Sequence, residues 1–159
     1  MFPTKNDLAE TTRAQVNEIL NARLLDVLHL GIHAKDAHWN VKGPQFLQLH
    51  ELFDNIAGQT QADSDEIAER IAALGGRINA SANLIATGSK LAAYPEVVSG
   101  LEHVAALATS LATVAGEVRR SIQATAELGD DDTADLLTGI SRELDKNLWF
   151  VESHLHASN

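Results

Sequence analysis

Apolar residues return every three or four positions from Val16 through Leu20, Leu24, Val27 and Leu28 to Ile32. That period belongs to an α-helix with one buried face. It predicts a first long helix reaching about Trp39, capped by Thr4 or Asn6, with Asp7 and Glu10 in opening turns where carboxylates suit the helix dipole. Gly43-Pro44 breaks it. Pro44 is expected to open a second long helix, because proline is favoured in a first turn. Phe46, Leu49, Phe53, Ile56, Ile67, Ile71 and Leu74 form its apolar stripe, and Gly75-Gly76 supplies a left-handed stop. A third long helix begins at a Ser99 cap, carries Leu101, Val104, Leu107, Leu111, Val114, Val118 and Ile122, and ends at Gly129. Asp130-Asp131-Asp132 opens a fourth, whose stripe of Ala134, Leu137, Ile140, Leu144, Leu148 and Val151 runs to about His154. Residues 77–100 are mixed: a short helix is expected over 79–84, and Tyr94-Pro95 interrupts the segment. A crossover of this length joins bundle helices that are not adjacent. The chain therefore reads as all-α, a four-helix bundle with a long crossover carrying a short helix, in a single domain over 1–159 with short tails.

Composition narrows the function. The 159 residues carry a formal charge of −10 and a pI near 5.0, which disfavours nucleic acid and anionic membrane, since phosphate binding runs on lysine and arginine. Only Lys5 precedes the first helix, and His156-Ala157-Ser158-Asn159 ends the chain without a basic residue. An acidic surface favours cations instead. The absence of cysteine removes disulfides and thiolate ligands. With neither a signal peptide nor a membrane span apparent, a soluble cytoplasmic protein is the expectation.

The candidate chemistry lies on the second helix. His50, Asp54, Asp65 and Glu69 fall within an arc of about 100° on one face, at about 1.5 Å of rise per residue. The pair His50/Asp54 is nonetheless about 16 Å from Asp65/Glu69 along the axis, too far to share one ion. The four positions are palindromic about the midpoint of Gln59 and Thr60. A second copy laid antiparallel there would set His50 against Glu69 and Asp54 against Asp65, with His38 just upstream. Gly58 fits such a two-fold contact, since a mid-helix glycine costs about 1 kcal/mol against alanine and reflects a packing need. Imidazole with carboxylate suits borderline ions such as Fe²⁺, Mn²⁺ or Zn²⁺.

Several blocks carry a family resemblance over residues 8–153: Ala37-His38-Trp39-Asn40, Leu49-His50-Glu51-Leu52-Phe53-Asp54, Asp65-Glu66-Ile67-Ala68-Glu69-Arg70, Asp130-Asp131-Asp132-Thr133-Ala134-Asp135 and Arg142-Glu143-Leu144-Asp145-Lys146-Asn147-Leu148-Trp149-Phe150. In these the chain resembles the Dps family, the mini-ferritins that protect DNA in starved cells. The resemblance implies a ferritin-like four-helix bundle assembled as a hollow homododecamer. It implies a ferroxidase centre in which His38, His50 and Asp54 of one subunit face Asp65 and Glu69 of its two-fold mate. Fe²⁺ would be oxidised there, preferably by hydrogen peroxide, and stored as a ferric mineral, with Zn²⁺ or Mn²⁺ able to substitute.

By the same resemblance Asp130, Asp131, Asp132 and Asp135 line pores that admit iron, although capping of the fourth helix competes for the same residues. Trp39 would intercept radicals, against a plainer role as an interface aromatic. Glu51 would nucleate mineral, against a role as a solvated helix residue. His29 and His33 are off the ligand face. Three rivals remain. A ferritin with its site inside one bundle needs Glu-x-x-His motifs, which the chain lacks. A nucleoid-associated, DNA-compacting protein needs basic tails, which it also lacks. The third is a metal-buffering cage without turnover.

Overall fold

The computed structural model describes residues 1–156; Ala157, Ser158 and Asn159, the end of the expected C-terminal tail, lie outside the described residues. Helical periodicity gives α1 (Glu10–Asn40), α2 (Phe46–Ala73), α4 (Gly100–Glu127) and α5 (Asp131–Ser153), and α3 (Ala82–Gly88) sits in the crossover. Both glycine stops form. Gly75 takes φ +76°, its N–H bonds the Ala72 carbonyl and the Gly76 N–H bonds that of Ile71, while Gly129 at φ +82° closes α4 in the same way. Ser99 and Glu102 form a reciprocal capping box at the start of α4.

Three expected boundaries move. Thr4 and Asn6 do not cap α1, because their side chains are used one turn earlier: Asn6 Oδ1 accepts from the Leu8 N–H at 3.0 Å, and Thr4 Oγ1 from the Asn6 N–H. Pro44 lies in the turn before α2, which starts at Phe46 behind Gln45. The short helix starts three residues later than 79–84, since Ser81, read as interior, is its cap and accepts from the Leu84 N–H.

Side-chain contacts fix the topology. His38 meets His50, and Gly31 crosses so close to Thr60 that a Cβ there would lie 2.8 Å from its Oγ1, so α1 and α2 are antiparallel. Arg23 with Glu117 and His33 with Ser110 make α1 and α4 antiparallel, and Arg70 with Asp130 starts an antiparallel α2/α5 pair. Two parallel helices, α2 and α4, then follow in sequence. Parallel helices cannot be joined by a tight turn, and the crossover is the consequence. This is the ferritin-like four-helix bundle. Its core is aliphatic apart from Phe53, and Phe53, Leu20, Leu30, Ile67, Leu107 and Leu137 within it are all inaccessible to solvent.

Charges are buried beside this core, most of them with a charged partner. Arg23 bridges Asp26 at 2.9 Å and Glu117 at 2.8 Å, and Asp26 also accepts the Lys90 N–H, pinning the crossover to α1. Asp130 accepts from the Thr133 N–H and hydroxyl and from Arg70 at 2.7 Å. Arg70→Met leaves that buried carboxylate without its cation, so chemical unfolding should show a loss of about 3–5 kcal/mol.

Asp63 is an exception. Burial, opposed in part by the Gln59 amide, pushes its carboxyl up to about 6 from 3.8, with Glu66 and Glu143 adding to the rise. The folded chain holds this proton more tightly than the unfolded chain. The stability it contributes is complete below the unfolded value and is lost as pH rises through about 6. Asp63→Asn should therefore gain up to about 3 kcal/mol at neutral pH and nothing near pH 3, measured as paired unfolding curves at the two pH values.

Candidate metal centre

The turn 41–45 folds α2 back on α1 and sets His38 against His50. Their rings stack with centroids 3.7 Å apart and planes 21° from parallel. The Nδ1 of each lies 2.8 Å from the backbone carbonyl oxygen of the other. A carbonyl only accepts, so both Nδ1 atoms carry hydrogen and donate. Both Nε2 lone pairs are left free, as metal-binding imidazoles need them.

Asp54, one turn beyond His50, ion-pairs with Lys35 of α1. The Lys35 ammonium holds its carboxyl below the ordinary range, with further help from His38 and His50. Asp54 is thus favoured in its anionic form. Lys35 itself was not read from the sequence, although its place three residues before His38 on α1 was the available signal. A cation that binds Asp54 has to displace it.

Asp65 and Glu69 lie further along α2, exposed and apart from the histidines. Among the described residues, no three His, Asp or Glu side chains of one chain stand close enough to hold an ion. The structure therefore pairs His38 with His50, sets Asp54 one turn further along α2, and leaves Asp65 and Glu69 separate. One open groove of about 1050 Å³ connects the two halves, lined by Lys35, Trp39, Asp54, Gly58 and Asp65 among others. Its wall is unusually apolar for a surface, with Ile32 55% and Trp39 66% exposed. A Cβ on Gly58 would meet no atom of its own chain within 4 Å.

The remaining expected residues separate. Asp130 is buried as the α5 cap, whereas Asp131, Asp132 and Asp135 are exposed. Glu51 is exposed beside His50. His29 and His33 lie away from the centre, in an interior cluster with Tyr94, His103 and Ser110 that the sequence did not disclose. Burial, with His29 adding to it, lowers the His33 pKa to about 4.

Residues 17–158 match the profile of the ferritin-like domain. The DNA protection during starvation protein of Agrobacterium fabrum is 42% identical over 153 residues, 96% of this chain and 94% of the relative. The chain belongs to the Dps family. DNA protection during starvation protein 2 of Bacillus anthracis is 35% identical, over 89% of this Dps chain and 97% of its own. Among solved structures, Mycobacterium smegmatis Dps in its tetragonal form superposes with a TM-score of 0.92 at 32% identity, covering 98% of this chain and 95% of that one. DpsC from Streptomyces coelicolor superposes at 0.93 and 30% identity, covering 100% and 92%. No helix of this Dps chain, among the described residues, is long and apolar enough to cross a membrane.

Proposed function

We propose that this Dps chain is a cytoplasmic ferroxidase and iron store, a single ferritin-like domain over 1–159 that assembles as a hollow homododecamer. Its sites are completed across two-fold dimers, with His38, His50 and Asp54 of one subunit facing Asp65 and Glu69 of the next. The reading is carried by the His38/His50 pair, locked by reciprocal hydrogen bonds with both Nε2 atoms free, and supported by a groove that runs past Asp54 to Asp65. Antiparallel pairing of two such grooves covers Ile32 and Trp39, places Gly58 beside the axis and brings the separated ligands together.

Fe²⁺ enters as substrate and takes the place of the Lys35 ammonium on Asp54. Each iron gives one electron, and hydrogen peroxide accepts two electrons and two protons to leave as two waters. Removing both oxidising equivalents together denies the cell hydroxyl radical, and the ferric product is stored as oxyhydroxide in the cavity. The neutral imidazoles lose their lone pairs to protons in acid, so iron binding weakens there. Zn²⁺ and Mn²⁺ share the preference for this donor set and compete with iron.

Asp131, Asp132 and Asp135 supply the iron-admitting pore, with Asp130 reserved for the cap. Glu51 serves mineral nucleation and Trp39 radical interception. Protection of DNA, which the relatives' names state, comes here from iron chemistry rather than contact, given the charge of −10. A gel shift at low salt should leave DNA unretarded; retardation would favour the compacting reading. Anaerobic titration of Fe²⁺ with peroxide tests the activity. Two irons consumed per peroxide without a hydroxyl spin adduct is the expected result, and one iron per peroxide with an adduct contradicts it.

A further inference from the structure

Tyr94 is the one tyrosine in the sequence, and the crossover carries it inward between α1 and α4. Its hydroxyl lies 3.1 Å from Nδ1 of His103 and 3.4 Å from the His103 carbonyl oxygen. The carbonyl can only accept, so the phenol donates to it, and Nδ1 stands close enough to take the phenolic proton in the tautomer that carries its hydrogen on Nε2. The two rings are 17° from parallel, and His103 is 1% exposed. On the other side Tyr94 meets the His33 ring at 5.0 Å, while His103 stands 6.4 Å from the ring of Phe53. Phe53 precedes Asp54 and follows His50 by three residues. A file of rings therefore runs from Tyr94 to the helix that carries the metal centre.

Burial raises the Tyr94 pKa above its ordinary value, Asp36 adding to the rise, and burial lowers that of His103. The phenol stays protonated and the imidazole neutral. A phenol that loses an electron becomes a strong acid, and here its proton has a base 3.1 Å away. Asp36 acts on both residues, and its negative charge favours the imidazolium that results. Trp149, by contrast, is 64% exposed, where a radical meets solutes.

We propose that Tyr94 is an internal one-electron donor, with His103 as its proton acceptor, that holds an oxidising equivalent when peroxide meets only one ferrous ion. This use rests on the ferroxidase reading above. A lone Fe²⁺ reduces peroxide by one electron, giving Fe³⁺, hydroxide and a hydroxyl radical. Tyr94 supplies the next electron and turns that radical into hydroxide. Its O–H bond breaks, an N–H bond forms on Nδ1 of His103, and a neutral phenoxyl is left beside an imidazolium. A second Fe²⁺ later returns one electron, the proton moves back, and two irons have been consumed per peroxide as in the concerted case.

Two arms test this in the assembled protein. In the first, without iron, azide radical from pulse radiolysis oxidises the protein. Wild type should pass from a tryptophan radical to the sharp visible band of a phenoxyl, more slowly in heavy water, and Tyr94→Phe should stop at tryptophan. In the second, less than one Fe²⁺ per subunit is mixed with peroxide and freeze-quenched for electron paramagnetic resonance. The phenoxyl signal should appear in wild type and vanish in Tyr94→Phe, which should release several-fold more hydroxyl spin adduct while keeping its rate at saturating iron. Absence of a phenoxyl in the iron-free wild type overturns the assignment to Tyr94, whatever the second arm shows. A phenoxyl there with no ferrous oxidation in the second arm upholds the donor and overturns the ferroxidase reading.

Discussion

Assemblies of His50→Ala or of Asp65→Ala alone should oxidise Fe²⁺ with peroxide at least about 100-fold more slowly than native protein, by the scale of losses at metal sites. Mixed assemblies of the two should recover about a quarter of the native rate. The recovery follows from the isologous two-fold contact, in which each dimer carries two sites and each site draws on both chains. In a mixed dimer one site combines the intact His50 of one subunit with the intact Asp65 of the other, and the second site lacks both. Half the dimers are mixed at random, so one site in four is whole. A centre confined to one chain cannot be repaired in this way. Stopped-flow kinetics on subunits unfolded together, refolded and purified as assemblies would show no recovery if the ligands belonged to a single bundle.

Gly58→Arg should abolish assembly and turnover together while leaving the subunit folded. The Cβ of residue 58 meets nothing in its own chain, and arginine is a better helix former than glycine by nearly 1 kcal/mol. The isolated subunit therefore has no reason to unfold. The groove around residue 58 is where the neighbouring helix has to lie, and a guanidinium there separates the two backbones and the ligands they carry. Light scattering should report a subunit or a smaller oligomer, circular dichroism an unchanged helical content, and the ferroxidase rate a fall comparable to that of Asp65→Ala. Native assembly and native rate in this variant would show that the groove is not the two-fold contact.

Much of the architecture was legible because a helix has a fixed period. The stripes of α2, α4 and α5 and the stops at Gly75 and Gly129 come directly from spacing and from glycine's freedom at positive φ. The palindrome of ligands was legible for the same reason, since helical rise turns sequence separation into distance. Residues with two competing uses were harder to read. Asn6 and Thr4 are good caps for a long helix and equally good caps for the turn before it, and the chain takes the turn. Ser81 looked like the interior of a short helix and is its cap. Asp130 carries a charge that suits a pore and a geometry that suits a cap, and Arg70, sixty residues away in sequence, decides for the cap. Lys35 against Asp54 and Tyr94 against His103 are likewise contacts between elements, set by which faces of α1, α2, α4 and the crossover meet. No period within a single helix encodes them.

Anomalous diffraction at the iron edge, from crystals of the assembled protein soaked anaerobically in Fe²⁺, measures the inter-subunit claim most directly. Iron should lie against Nε2 of His38 and His50 and the Asp54 carboxylate of one subunit, with Asp65 and Glu69 closing the same site from its two-fold neighbour. Iron bound wholly within one bundle, or Asp65 and Glu69 facing bulk solvent in the assembled particle, would contradict it.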